Sequence, residues 1–586
     1  MQLLAAVTLF LSLSFSAKAG TTSSTRTTSS TRTTSTSSTR STPSPLPTPP
    51  VVRNYVFNVA NVDLAPDGFT RRTVVANSQF PGPLLTANKG DILNILVHNN
   101  LTETSMRKST SIHWHGLFQH RNAHNDGPAF VTQCPISPGH SYTYSMPLAN
   151  QTGTYWYHSH LSSQYLDGLR GPIYVHSTKF VAPVLIDLSL PVASLFFSED
   201  PQDPNLSLYD VDDASTVIVL ADWFHTASPE LLAAYMDPTN TASNDALPQS
   251  GTINGVGRTS TDTQPARPVF TVTSGLRYRF RIINASAIAR FNFQISGHTL
   301  TVIEADGENH VPLTVDRLLL HPGQRYSVVV EANQAVDNYW IRAPMTARTP
   351  TPAPTNWATD SDNVNAVLHY VGAAAAEPTT TPPALSGTLL DEALLVPSTN
   401  PAAPGTAVAG GADKVFNLTF AAATDATSHH WTVNGIQYLS PTVPTLLQIL
   451  SGSTDASDFA TNENTFIISR GDVVEINIAG VPNHPWHLHG HSFSVVKGQT
   501  GSVNYVNPPR RDVTPSAAGG ITIRFTADNP GPWILHCHID LHLDAGLAVV
   551  FAEAPEAVIA GADSVDPDNS WDSLCPIYNA LPAADQ

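Results

Sequence analysis

The sequence predicts an all-β protein of Greek-key sandwiches or barrels, and three observations carry that expectation. Short runs alternate apolar with polar residues, as in RYRFRIINAS (277–286), TLTVIEADG (299–307), RYSVVVEAN (325–333), DVVEINIAG (472–480) and ITIRFTADNPGPW (521–533). Gly, Pro, Asn and Asp divide these runs at short intervals, the spacing of strands and turns. Helical periodicity is almost absent, and 47 prolines in 586 residues disfavour long helices.

In chain order, MQLLAAVTLFLSLSFSAKAG opens with an apolar run that ends at Ala17-Lys18-Ala19. The run is too short to span a bilayer and ends in a small-x-small pattern, so residues 1–19 read as a secretory signal peptide. Residues 20–50 repeat a Ser/Thr-Arg unit and finish in prolines. Nothing in them can build a core, and they read as a disordered, O-glycosylated stalk. The remaining chain carries Asn-x-Ser/Thr sequons at Asn100, Asn150, Asn205, Asn284 and Asn417, which fit a glycosylated extracellular surface. A net charge of −18 argues against nucleic-acid and anionic-membrane partners, because both require a basic face. No later segment is apolar for long enough to cross a membrane.

A secreted chain tends to pair its thiols, yet there are three cysteines. Cys537 is the odd one, standing between His536 and His538, which leaves Cys134 and Cys575 for one long-range bridge. Five His-x-His pairs occur: His113/His115, His158/His160, His487/His489, His489/His491 and His536/His538. In an extended strand, residues i and i+2 face one side, so each pair can offer two imidazoles to one metal cluster. In His536-Cys537-His538 the sulfur then faces the other way, toward a second site. Two histidines, His484 and His542, are placed to complete a two-nitrogen, one-thiolate site of the blue-copper type. Eight histidines remain, too many for one ion: His113, His115, His158, His160, His487, His489, His536 and His538. Zinc fits less well, since structural zinc favours cysteine-rich tetrahedra. His491, His120, His124 and the His429-His430 pair read as ordinary structural histidines.

The segments SIHWHGLFQ, TYWYHSHLSSQYLDGLRGP, NHPWHLHGHSF and PWILHCHIDLHLDAGLAVVFAE resemble the four copper signatures of multicopper oxidases, specifically fungal laccases of the basidiomycete type. Similarity continues in FPGPLLTANKGD, NDGPAFVTQCPI and EANQAVDNYWIRA, and covers essentially everything after residue 51. It implies three cupredoxin-like domains, over 51–180, 181–352 and 353–586. It implies four copper ions: one type 1 at His484, Cys537 and His542, one type 2 at His113 and His487, and a type 3 pair at His115, His158, His160, His489, His536 and His538. The activity implied is one-electron oxidation of phenols and aromatic amines, coupled to four-electron reduction of dioxygen to water. Small aromatic reductants would act at His542; a monomer is the default expectation, with oligomeric state left open. Asp126 and Asp540 match acidic positions near the family's cluster, either as proton donors or as groups that orient ligand histidines. Leu547 falls at the axial position, where it cannot coordinate. Cys134 and Cys575 match a family disulfide.

Departures from the family pattern concentrate near the substrate side. Leu166 and Ala287 stand where the family often has a second disulfide, Leu541 where an aromatic is common, and Ile288 where an aspartate often holds the phenol, with Arg290 close by. The expectation is therefore a substrate site without its carboxylate. Other readings are a ferroxidase or ascorbate oxidase, and a non-catalytic copper-binding wall protein.

Overall fold

The computed structural model describes residues 50–177, 203–259, 265–346, 363–583 and 585–586. The expected leader, the stalk apart from Pro50, and the expected domain boundaries at 180/181 and 352/353 lie outside them.

Among the described residues, six sheets pair into three sandwiches, formed by strands within residues 52–176, 217–370 and 414–553. Each sheet contains one parallel pair among antiparallel neighbours. Val52–Leu64 runs parallel to Ile92–Asn100, Arg277–Asn284 to Val217–Trp223, and Lys414–Thr424 to Val473–Ala479. The partner sheets repeat the device with Leu85–Asn88 and Arg170–His176, Val269–Val272 and Asn365–Tyr370, and Thr465–Ile468 and Ala548–Glu553. One Greek-key unit thus occurs three times.

Alternating side chains from paired sheets fill each interior. In the middle sandwich Ile218, Phe280 and Val328 meet Phe293, Ile341 and Leu368. The cores of the first and third sandwiches merge into a single cluster, which includes Ile95, Trp114 and Tyr157 together with Trp486, Leu535 and Phe551. Strands Gly153–Ser159 and Gly531–Cys537 are buried at every residue. Half-buried alternation fails there because one face serves its own sandwich and the other meets a neighbouring one.

Cys134 and Cys575 form a disulfide across a sequence separation of 441 residues. Leu166 and Ala287, expected to stand in place of a second bridge, are both fully buried in the shared core. The expected glycan surface needs correction at Asn284. Its amide nitrogen donates to the carbonyls of Ala289 and Leu320 (both 3.0 Å), its oxygen accepts from the Ser286 N–H, and it has no exposed surface. Asn205 is likewise buried and donates to Asn309 Oδ1 (2.9 Å). Asn100, Asn150 and Asn417 are exposed.

Candidate metal centre

The ligand strands meet where the first and third sandwiches join. Strand Ile112–His115 pairs antiparallel with Gly153–Ser159, which sets His113 opposite His158. In the same way Pro485–Leu488 pairs with Gly531–Cys537, setting His487 opposite His536 and Trp486 opposite Cys537. The period of two does the rest. His536 and His538 go to two histidine groups, and Cys537, between them, goes to a third group of its own.

Among the described residues, four groups of donor atoms are made of histidine and cysteine alone, and a fifth joins Asp126 to His113 and His489. His115, His158 and His538 converge, as do His160, His489 and His536, while His113 Nε2 faces His487 Nε2 at 3.5 Å. The fourth contains His484, Cys537 and His542. Two nitrogens about 2.0–2.1 Å from one ion lie roughly 3.3 Å apart at a tetrahedral angle. Here His489 Nε2 and His536 Nε2 are 3.2 Å apart, and His538 Nε2 and His115 Nδ1 are 3.2 Å apart. The Cys537 Sγ lies 3.5 Å from His484 Nδ1 and 3.6 Å from His542 Nδ1, the wider spacing that a longer metal–sulfur bond requires. Buried and without protein partners are His158 Nε2 and His160 Nε2, donors that a metal would satisfy. The donor set fits copper: imidazoles throughout, with one thiolate.

Protonation favours the same conclusion. Burial first, and then the neighbouring imidazoles, hold His115, His158, His487, His489 and His538 well below the ordinary imidazole range, and His160 likewise. His536 lies at about 4, again chiefly through burial. Their lone pairs are therefore free at neutral pH. Hydrogen bonds choose which nitrogen faces inward. His113 Nδ1 donates to the Asp126 carbonyl (2.8 Å), His489 Nδ1 to Asp126 Oδ2 (2.8 Å), and His487 Nδ1 to the Asp512 carbonyl (2.9 Å). Asp126 thus orients two ligands. Asp540 is buried next to the cluster strand, with its N–H on the Ala287 carbonyl and Oδ2 unpartnered.

Leu547 is fully buried and bracketed by the thiolate site. Its carbonyl accepts from the Cys537 N–H (3.1 Å) and its N–H donates to the His542 carbonyl (2.9 Å). Beside His160, a cavity of about 190 Å³ is lined by Arg107, Ser162, Asp544 and Tyr578 among others.

Three functional residues were not anticipated. Asp512 supplies the carbonyl that orients His487, and its carboxylate lies 3.3 Å from His115 Nε2. Arg325, from the middle sandwich, holds that carboxylate bidentately at 2.6 and 2.7 Å. The PRRD run in a chain with few charges was the available signal. Third, Asp245 Oδ1 accepts from His542 Nε2–H at 2.8 Å. This corrects the expected loss of a carboxylate. Ile288, expected at that position, has its side chain buried in the core and its N–H on Asp222, while the loop before Ser250 brings an aspartate to the imidazole. Nothing in SNDALP announced it. His491, 3.1 Å from Glu553, and His120, His124, His429 and His430 join none of the donor groups.

Comparison with known proteins accords with this geometry. Multicopper oxidase families match residues 214–373, 58–179 and 438–557. The chain belongs to the multicopper oxidase family. Among multicopper oxidases, it is 51% identical to Laccase-4 of Thanatephorus cucumeris over 490 residues, covering 83% of this chain and 87% of that one. Identity to Laccase-4 of Trametes villosa is 46% over 538 residues, covering 90% and 94%. The crystal structure of the laccase from Botrytis aclada superposes with a TM-score of 0.75 at 33% identity, over 91% of this chain and 93% of that one. Fet3p, a multicopper oxidase that functions in iron import, superposes equally well at 27% identity, over 90% and 96%. This multicopper oxidase is a copper oxidoreductase of the laccase type.

Proposed function

We propose that the protein is a secreted laccase with four copper ions. One (type 1) is held by His484, Cys537 and His542, and one (type 2) by His113 and His487. Two (type 3) are held by His115, His158 and His538 and by His160, His489 and His536. Phenols and aromatic amines are the proposed reductants and dioxygen the oxidant. Bound copper supplies the one-electron steps and the four-electron reduction of dioxygen to two waters. The chain supplies wiring and access. Cys537 belongs to one donor group and both of its neighbours to the others, so a few covalent bonds join the sites. The hydrogen bond from His536 Nδ1 to the Cys537 carbonyl (2.9 Å) adds a second link. That adjacency is the observation on which the proposal stands. The cavity lined in part by His160 is the proposed entry for dioxygen and water. Asp126 holds His113 and His489 in place, and Asp540 is the proposed proton source.

A ferroxidase would need several carboxylates at the type 1 site. Asp245 is at the His542 ring, and one of its oxygens is already taken by the ring N–H. An ascorbate oxidase or a non-catalytic wall protein is less supported than a laccase, given the laccase relatives and the complete donor set. No helix among the described residues is long and apolar enough to cross a membrane, and secretion rests on the leader read in residues 1–19. The test is an absorption spectrum and oxygen uptake on copper-loaded protein. An intense visible band from the Cys–copper bond, with phenol-driven uptake of one dioxygen per four electrons, is expected. A colourless protein with fewer than four coppers per chain would refute the proposal.

A further inference from the structure

The thiolate site takes every ligand from the third sandwich, yet the outer nitrogen of one ligand is held by the second. His542 Nε2 meets Asp245 Oδ1 at 2.8 Å, and the two residues are 0% and 6% exposed. Asp245 lies between helix Ser228–Met236 and strand Ser250–Ile253. The connecting loop is specified rather than slack. Asn240 Nδ2 donates to the Tyr235 carbonyl (2.8 Å) and the Asn244 carbonyl (3.2 Å), and Asn240 Oδ1 accepts from the Asn244 N–H (2.9 Å). Ser243 takes a left-handed conformation (φ 52°) just before the aspartate. Tyr235, at the start of the loop, places its ring 5.5 Å from that of His542 and accepts from Trp431 Nε1 (2.7 Å). Both ends of the loop therefore converge on one imidazole.

A carboxylate on the outer N–H of a ligating histidine fixes its tautomer and raises the basicity of the other nitrogen. That nitrogen, Nδ1, is the one facing Cys537 and His484. Stronger donation favours the divalent over the monovalent ion, which lowers a copper potential. Resting on the type 1 reading above, we propose that Asp245 is a positioning residue. It locks His542 and sets the type 1 potential below what the two histidines, the thiolate and a non-coordinating Leu547 would give alone. The middle sandwich, which contributes no ligand, would then govern how readily the site takes an electron.

Asp245→Asn tests this, since an amide oxygen can still accept the hydrogen bond while the charge is gone. Redox titration of the visible band should show about a tenfold loss of preference for oxidised copper, at the low end of what loss of such a partner costs. A tenfold change is about 59 mV for one electron, here upward. Asp245→Glu should restore part of the shift. Asn240→Ala, which touches neither the metal nor His542, should raise the potential by less and provides the measurement if Asp245→Asn fails to load copper. An unchanged or lowered potential in Asp245→Asn, or in Asn240→Ala where it alone loads, overturns the proposal. Failure of the type 1 reading itself would look different, because the unmodified protein would then lack the band.

Discussion

At the scale of single residues, Leu547 and Asp245 both meet the proposed type 1 site without belonging to its donor group. Leu547 has no donor atom, its backbone hydrogen-bonds to both Cys537 and His542, and it is buried in the core cluster that includes Cys537. Weak axial donation raises a blue-copper potential, and a thioether there lowers it. Leu547→Met is therefore expected to lower the type 1 midpoint by about 59 mV for every tenfold gain in preference for oxidised copper. Volume is nearly conserved, so the stability cost should stay below about 1.5 kcal/mol. Redox titration of the visible band checks the direction, and an upward or absent shift would remove Leu547 from the axial position. Asp126 is a different case. With its carbonyl on His113 and its carboxylate on His489, it is a ligand-orienting group by geometry. Asp126→Asn should accordingly lose type 2 or type 3 copper, by about 10–100-fold in affinity, before it shows any altered pH profile. Copper analysis under graded chelation reads this, and full occupancy with a changed pH profile would restore the proton role.

Among elements, the sandwiches are joined by buried polar pairs rather than by apolar contact alone. One joint sets Asp67, from the first sandwich, under His225 and Ser250 of the second: His225 Nε2 donates at 2.8 Å and Ser250 Oγ at 2.5 Å. Phe69 stacks on the His225 ring at 3.9 Å. Burial alone would raise the Asp67 carboxyl, but the hydrogen bonds from His225 and Ser250 outweigh it and hold the group below its ordinary 3.8. A depressed carboxyl stabilises the fold above its unfolded value and loses that contribution as pH falls through the folded one. Thermal melts should show Asp67→Asn less stable than the parent at pH 6, with the gap closing below about pH 4. A gap independent of pH would mean that shape, not charge, matters at this joint. What the sequence made legible follows the same division. The strands and the His-x-His ligands could be read because a period of two is local and side chains declare their face. Arg325–Asp512 and Asp245–His542 join residues 187 and 297 positions apart. No local period encodes such pairs, and Asp245 in particular rides on an irregular loop. The same limit explains Asn284, whose sequon looked like surface until the fold enclosed it.

For the whole molecule, the donor groups lie across the joint between sandwiches. Each of the three histidine groups draws on both the first and the third sandwich: His113 with His487, His115 and His158 with His538, and His160 with His489 and His536. The Cys134–Cys575 disulfide ties the first sandwich to the tail after the third, and Cys575→Ser should cost about 2–4 kcal/mol by releasing a long loop in the unfolded chain. Calorimetry of the variant would read this, and an unchanged melting temperature would refute it. Copper held by these groups would act differently, by favouring the assembled chain over the unfolded one. At a free concentration 1,000 times its Kd, one such ion adds about 4.1 kcal/mol, and the histidine groups place that contribution across the seam between sandwiches. The ring nitrogens face one another across this seam at 3.2–3.5 Å, the spacing of donors that share one ion. Calorimetry of chelated protein should therefore show a melting temperature lower by several degrees. The single transition should broaden or split as the first and third sandwiches uncouple, and added copper should restore both features. Coincident melts with and without copper would mean that the seam is held by apolar packing and the disulfide, with the metals as passengers.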